Sequence, residues 1–374
     1  MIRRLLLSVV TANLLLCACS SLSESDSWNL RKDSLRYSSL LEIARADSFV
    51  LVTVQDAWNP DEALHRYVLV PESAQVPKEL PEGTLLRTPL RRAVMHNAVH
   101  AALTAELGCA EAIAGLCDVD YVQTPALQEL LEQELIADAG SSVQSDVERY
   151  ISLRADAVFT APLEHANYGI LEKVRIPIVE CADYMETSAL GRAEWMRFFG
   201  LLFDCEEQAQ TLFEKVEQGY IALRDSAKLS TKRPRLMTDL INGSAWHMPG
   251  GNSYLGNLLM DANADYVLAD DKSSGSVPLG IESVYSMASD ADIWLIKLAR
   301  NHTPTYTELK FEHASYTTFR PWKERKIFFC NTLTTDFYER IPFHPEVLLR
   351  ELIHLLHPEL RPATYEAEYY KPLK

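Results

Sequence analysis

The sequence predicts an α/β protein of two Rossmann-like lobes with mostly parallel sheets, joined by a long α-helix. Three observations predict it. From Arg91 to Glu180, short apolar runs alternate with amphipathic stretches of helix length. From Ser188 to Lys228, apolar residues recur only at helical spacing, with no strand among them. After Pro234 a second alternating half begins. Alternation of this kind implies right-handed crossovers and parallel pairing. The boundaries that follow are 1–18 for a signal, 19–38 for a flexible tether, 39–187 for the first lobe, 188–228 for the connecting helices and 229–374 for the second lobe.

The chain opens with Arg3 and Arg4 ahead of an apolar run from Leu5 to Leu16. That run is too short to span a bilayer and reads as a cleaved export signal. Leu16-Cys17-Ala18-Cys19 matches a lipoprotein signal, with Cys19 as the acylated residue because a small residue precedes it. Acyl chains there would anchor the chain to a membrane of the cell envelope, facing the periplasm. Ser20 does not request inner-membrane retention, which leaves the outer membrane open. Ser20 to Ser34, rich in serine and aspartate, reads as the tether, with structure starting near Tyr37.

A mature chain of roughly 355 residues can build two cores. Its net charge of −16 excludes nucleic acid as a partner, which calls for a basic surface. The five cysteines left after processing fit no zinc ribbon or disulfide framework and read as buried thiols, while an envelope location permits a bridge, for which Cys109 and Cys117 are the nearest pair. The chain reads as a monomer.

Phe49 to Val54 and Arg66 to Val70 form a predicted hairpin, and Pro71 to Pro89 carries four prolines and reads as a loop. In the first lobe the predicted strands are 93–95, 112–115, 157–160 and 176–180. The predicted helices are 98–107, 125–135, 147–153 and 165–174. One connecting helix ends near Phe203. A second runs from Cys205 to about Ala227, with Asp204 and Glu207 as its cap and partner. In the second lobe the strands are 236–240, 266–268, 293–296 and 326–329, the last of the chain, and the helices are 253–262, 281–287 and 345–356.

Several segments then resemble one family. Leu107 to Leu116 resembles an "ALGAxDxIVGV" strand entry, and Gly140 to Val158 a "GxxxxPNLExILxLKPDLV" stretch. Ile176-Pro177-Ile178-Val179 is similar to a "GIPVV" strand, and Gly250 to Asp265 to "GxxSxxxxLLxxAGG". Phe343-His344-Pro345 and His357-Pro358-Glu359-Leu360 resemble the closing helix. Together, over about 89–360, they resemble the substrate-binding lipoproteins of ABC importers. The class is the one that captures ferric siderophores, cobalamin or haem between two lobes joined by a helical backbone. The resemblance implies capture of an iron-siderophore first, or cobalamin or haem, and delivery to an ABC permease. It implies no catalysis, no cofactor and no resident metal. It also places an acidic permease-docking residue on each lobe. Glu132, Glu134 and Asp138 are candidates on the first, but Asn252 stands at the second position.

In such a fold the ligand lies at the carboxyl ends of the strands. The candidates there are His96, Asn97, Tyr121, Ser141 and Ser142 in the first lobe, and Trp246, His247, Lys272 and Arg300 in the second. Aromatic rings suit flat macrocycles and catechols, histidine can ligate iron or cobalt, and a cation can meet an anionic chelate. The glycines at 250 and 251 serve a turn and a close backbone approach. A ligand sensor without a transporter and an envelope metalloenzyme are the competing readings. The second has no Ser-His-Asp, redox CxxC or metal-ligand spacing to support it.

Overall fold

A computed structural model describes residues 28–165 and 167–374. The signal, the acylation of Cys19 and the first part of the tether lie outside them. Among the described residues, no helix is long and apolar enough to cross a membrane.

The first five strands make a sheet of their own: β1 (Arg31–Lys32), β2 (Leu41–Arg45), β3 (Val50–Gln55), β4 (Ala63–Pro71) and β5 (Thr84–Thr88), in that order. The expected hairpin is β3 with β4. Two features differ from expectation. Strand β5 lies inside the proline-rich segment and pairs parallel with β4. Its five residues hold no proline, and Leu86 is buried, so the flanking prolines bound the strand rather than exclude it. The tether also gains structure early, because Arg31 and Lys32 pair with Arg45 and Ala44.

The first lobe is built on β6 (Ala93–Met95), β7 (Ile113–Leu116), β8 (Ala137–Asp138), β9 (Ala157–Thr160) and β10 (Ile178–Glu180). All pair parallel, in the order β10-β9-β6-β7-β8. Its helices are α1 (Ala98–Glu106), α2 (Pro125–Glu132) and α3 (Val147–Ser152). The expected helix over 165–174 is one 3-10 turn at Leu171–Lys173. His165 and Gly169 both take positive φ, which breaks a helical run twice.

The connection consists of α4 (Ala189–Glu194), α5 (Met196–Phe203) and α6 (Glu206–Ala227). Helix α6 has 22 residues, a span of about 33 Å at 1.5 Å per residue. Asp204 does not cap it. That residue is left-handed (φ 57°) and closes α5, while Cys205 holds the cap position without a side-chain bond.

The second lobe pairs β11 (Arg235–Thr238), β14 (Asp265–Tyr266), β16 (Ile293–Leu298), β17 (Ile327–Asn331) and β18 (Lys371–Pro372) in the order β14-β11-β16-β17-β18. All are parallel except β18, an antiparallel edge strand beyond the one expected to be last. A small antiparallel sheet, β12 (Ile241–Asn242), β13 (Ala245–Pro249) and β15 (Ser276–Leu279), stands beside it. The helices are α7 (Tyr254–Asp261), α8 (Ile281–Ala288), α9 (Tyr306–Glu312), α10 (Arg320–Lys323), α11 (Phe337–Arg340) and α12 (Pro345–Leu356). The two glycines act as expected: a Cβ on Gly250 would lie 2.2 Å from Ser273 O, and one on Gly251 2.2 Å from Leu268 O.

One apolar core runs through the N-terminal sheet, both lobes and the connecting helices. Phe199 touches Phe159 of the first lobe and Phe343 of the second, which joins them at the spine. Three buried carboxylates fasten the chain's start to this spine. Glu194 accepts the backbone N–H groups of Arg36, Tyr37 and Ser38. Glu186 accepts from Ser39, Leu40 and the Trp195 indole. Glu217, on α6, accepts from Arg36 and Tyr37.

Candidate functional site

In the first sheet β6 is flanked by β7 and β9, and in the second β11 is flanked by β14 and β16. Open parallel sheets leave a crevice at such reversals, outside the carboxyl ends of the strands. The segments that follow the strands of one lobe touch those of the other, so both crevices meet at the lobe boundary.

On one flank a polar network crosses that boundary. His100 Nε2 and Arg192 Nε lie 2.9 Å from the two oxygens of Asp183. Burial opposes the Asp183 charge, but Arg192 and His100 outweigh it and the pKa is lowered. The Arg192 guanidinium lies 4.8 Å from the centre of the Tyr254 ring in the second lobe. Asn257 donates to Thr187 O at 2.8 Å beside it. Lys297 Nζ lies 2.5 Å from Asp239, and both tyrosines, Tyr254 and Tyr338, are within its electrostatic reach. Burial works against the Lys297 charge, and Asp239 more than offsets it, so the pKa is raised.

On the other flank, Glu339 of α11 accepts the N–H of Gln123 at 2.6 Å and of Thr124 at 2.7 Å, together with the Thr124 hydroxyl. It thereby holds the segment that leads into α2 of the opposite lobe. His344 stands between Glu106 of α1 (2.7 Å) and Glu346 (3.1 Å). A cavity of about 570 Å³ lies along this flank, between α1, α6 and α11 to α12.

Some of the carboxyl-end segments carry exposed apolar side chains. Tyr121 follows β7, Val143 follows β8, Leu163 follows β9 and Tyr338 follows β17, and all four are exposed, Tyr121 by 70% and Tyr338 by 57%. A single exposed apolar side chain needs no explanation, but all four of these lie on segments that follow parallel strands.

The expected contacts divide. Tyr121 is exposed, Asn97 is half-buried at the start of α1, and Ser141 is exposed. Ser142 is tied down, its hydroxyl donating to Asp118. His96 is a correction: it is buried, with its nitrogens 3.2 Å from Thr160 Oγ1 and 3.1 Å from Tyr150 OH. Burial lowers its pKa to about 4, so the ring is neutral and has no nitrogen left for a ligand. Trp246 is a second correction. It is 0% exposed, packed on Trp294, Tyr316 and Phe319, and its indole donates to Thr238 O at 2.9 Å. It belongs to the second lobe's core. The alternation of β13 turns its neighbour His247 outward, where it is exposed. Lys272 is exposed, and Arg300 pairs with Glu312 at 2.6 Å. Glu132, Glu134 and Asn252 are all exposed.

Arg192, Tyr254 and Tyr338 escaped the sequence reading, and Lys297 enters it only as the start of the cleft segment 297–302. One signal was present: a lysine in the otherwise apolar strand Ile293–Leu298 needs a buried partner. Among the described residues, no group of three histidine, cysteine, aspartate or glutamate side chains is placed to hold a metal ion.

The family model described as "Periplasmic binding protein" matches residues 100–316, more than half of the chain. An uncharacterized lipoprotein of Methanocaldococcus jannaschii is 26% identical over 238 residues, covering 62% of this chain and 55% of that protein. The chain thus spans about half the length of that relative. Among solved structures, a periplasmic haem-binding protein from Pseudomonas aeruginosa has a TM-score of 0.58 at 15% identity, covering 74% of this chain and 96% of that one. An ABC-type Fe3+-hydroxamate transport protein from Saccharomonospora viridis has a TM-score of 0.56 at 18% identity, covering 71% and 92%. At such identities the likeness concerns the fold.

Proposed function

Because the chain belongs to the periplasmic binding protein family, we propose that it captures a metal chelate between its lobes and delivers it to an ABC importer, without chemistry of its own. The observation that carries this reading is that Tyr121, Val143, Leu163 and Tyr338, all exposed, lie on segments that follow strands of both sheets, where they would form the rim of the crevice. A ferric siderophore is the first ligand class, with cobalamin and haem as alternatives. Each offers a large, partly apolar surface to such a rim, with Lys297, Tyr254 and Tyr338 supplying a few fixed polar groups. Proteins that bind iron-hydroxamate and haem share this fold. The chain works in the cell envelope, lipid-anchored through Cys19.

The test is calorimetric titration of the folded chain with a ferric hydroxamate, cyanocobalamin and haemin. Sub-micromolar saturation by one of them, weakened at least tenfold in Tyr338→Ala with unchanged melting, is the expected result. Heats indistinguishable from dilution with all three would end the proposal. A second reading, a ligand receptor that docks no transporter, is favoured by the uncharged Asn252 at the expected second-lobe docking position. Co-purification with a permease, lost on charge reversal of Glu132 and Glu134, separates the two.

A further inference from the structure

Five cysteines lie among the described residues, and all are unbridged. Their surroundings sort them. Cys117 is buried on the first sheet, with its sulfur 3.8 Å from Ala139 O and 3.5 Å from Tyr150 OH. Cys181 points to Val179 O at 3.8 Å, and Cys330 has Thr335 Oγ1 at 3.7 Å. The partners of all three sulfurs are oxygens. The pair nearest in sequence, Cys109 and Cys117, is therefore not the pair brought together.

Cys109 lies instead beside the segment that carries Cys205. Cys109 follows Gly108 at the end of α1, is only partly buried, and lies 3.9 Å from Phe203 O. Cys205 is buried two residues beyond Phe203, at the cap position of α6, and its thiol feels that of Cys109. An open cavity of about 510 Å³ lined by Gly108, Cys109, Phe203 and Asp204 gives access from solvent. One of the pair is thus reachable and the other is held behind it, the arrangement that thiol–disulfide exchange requires.

We propose that Cys109 and Cys205 are a disulfide site, oxidised by a small or protein-borne disulfide once the chain has left the cytoplasm. The Cys109 thiolate attacks one sulfur of the oxidant, which leaves a mixed disulfide and one released thiol. The Cys205 thiolate then attacks the Cys109 sulfur and expels the second thiol. Two protons and two electrons leave the pair, and the oxidant's disulfide is reduced to two thiols. The bond closes a long loop and staples the end of α1 to the start of the spine helix. The Cys205 thiol is pushed up to about 12 by burial and by its neighbour, so closure accelerates with pH. The other three cysteines stay reduced, which accounts for the odd number.

The experiment is oxidation of the folded full chain with glutathione disulfide, followed by alkylation, denaturation and non-reducing peptide mass mapping. The expected product is a single linked peptide pair containing Cys109 and Cys205, with Cys117, Cys181 and Cys330 alkylated. The oxidised chain should melt several degrees above the reduced one, and that gain should vanish in Cys109→Ser, which alters only a partly exposed side chain. Separate alkylation of Cys109 and Cys205 after exhaustive oxidation, a stable glutathione adduct on Cys109, or a link from Cys109 to Cys117 each overturns the assignment.

Discussion

Glu106 and His344 stand 2.7 Å apart across the boundary between the lobes, with Glu346 completing the cage on the far side of the imidazole. Burial alone would lower the His344 pKa, but the two carboxylates overcome it and raise the pKa to about 9. The cation therefore belongs to the folded state. Its stabilisation is complete below pH ~6.5, the unfolded value, and is lost as pH rises through about 9. The difference in urea stability between the parent chain and His344→Gln should reach about 3 kcal/mol near pH 6 and shrink steadily towards pH 9.5. A difference constant across that range would show that the imidazole is not charged in the fold.

The fastening at residues 36–40 makes a second expectation. Glu194 is fully buried and holds three consecutive backbone donors. Glu194→Ala strands those donors and should cost about 2–4 kcal/mol. Brief proteolysis of the variant should cleave first between Arg36 and Leu40. If the variant keeps the parent's urea midpoint and resists cleavage there, the carboxylate does not fasten the segment.

Trp246 and Tyr338 should behave as opposites. Trp246→Ala opens a hole among Trp294, Tyr316 and Phe319 and should cost about 3–5 kcal/mol in urea unfolding. Tyr338→Ala removes a ring that is 57% exposed and should leave stability within about 1 kcal/mol of the parent. Its effect belongs in the affinity for ligand.

Lys297 and Asp239 make the fourth expectation. Lys297→Ala leaves a carboxylate uncompensated in a site only 16% open to solvent, and should cost about 3–5 kcal/mol. Lys297→Ala with Asp239→Ala should recover part of that loss, because the stranded charge goes with the partner. Strictly additive losses in the double variant would show that the two side chains do not interact.

What was legible in the sequence had a period. The parallel strands and the 22-residue spine follow from apolar spacing, and their bounds fall within a few residues of those observed. Elements set by partners far along the chain were not legible. Lys371–Pro372 joins a sheet only because Phe328 and Phe329 are beside it. The run from His165 to Val174 has helical spacing, but two positive φ values override it. The site fared similarly. Loops could be placed at strand ends, yet which face a side chain takes depends on register. On β13 one step separates the buried Trp246 from the exposed His247. Arg192 and Tyr254 are 62 residues apart and meet only once the lobes pack.

Glu339 sets the manner in which the lobes can part. Its carboxylate is the acceptor for two successive N–H groups just ahead of a helix in the opposite lobe, and both depend on the same approach. A separation large enough to break one breaks the other, and it leaves two backbone donors bare together with a buried charge. The molecule thus has a detent in place of a smooth hinge. Small rocking motions leave the catch engaged, and a larger one releases it in a single step, so the free and occupied forms should exchange as two discrete positions with little populated between them.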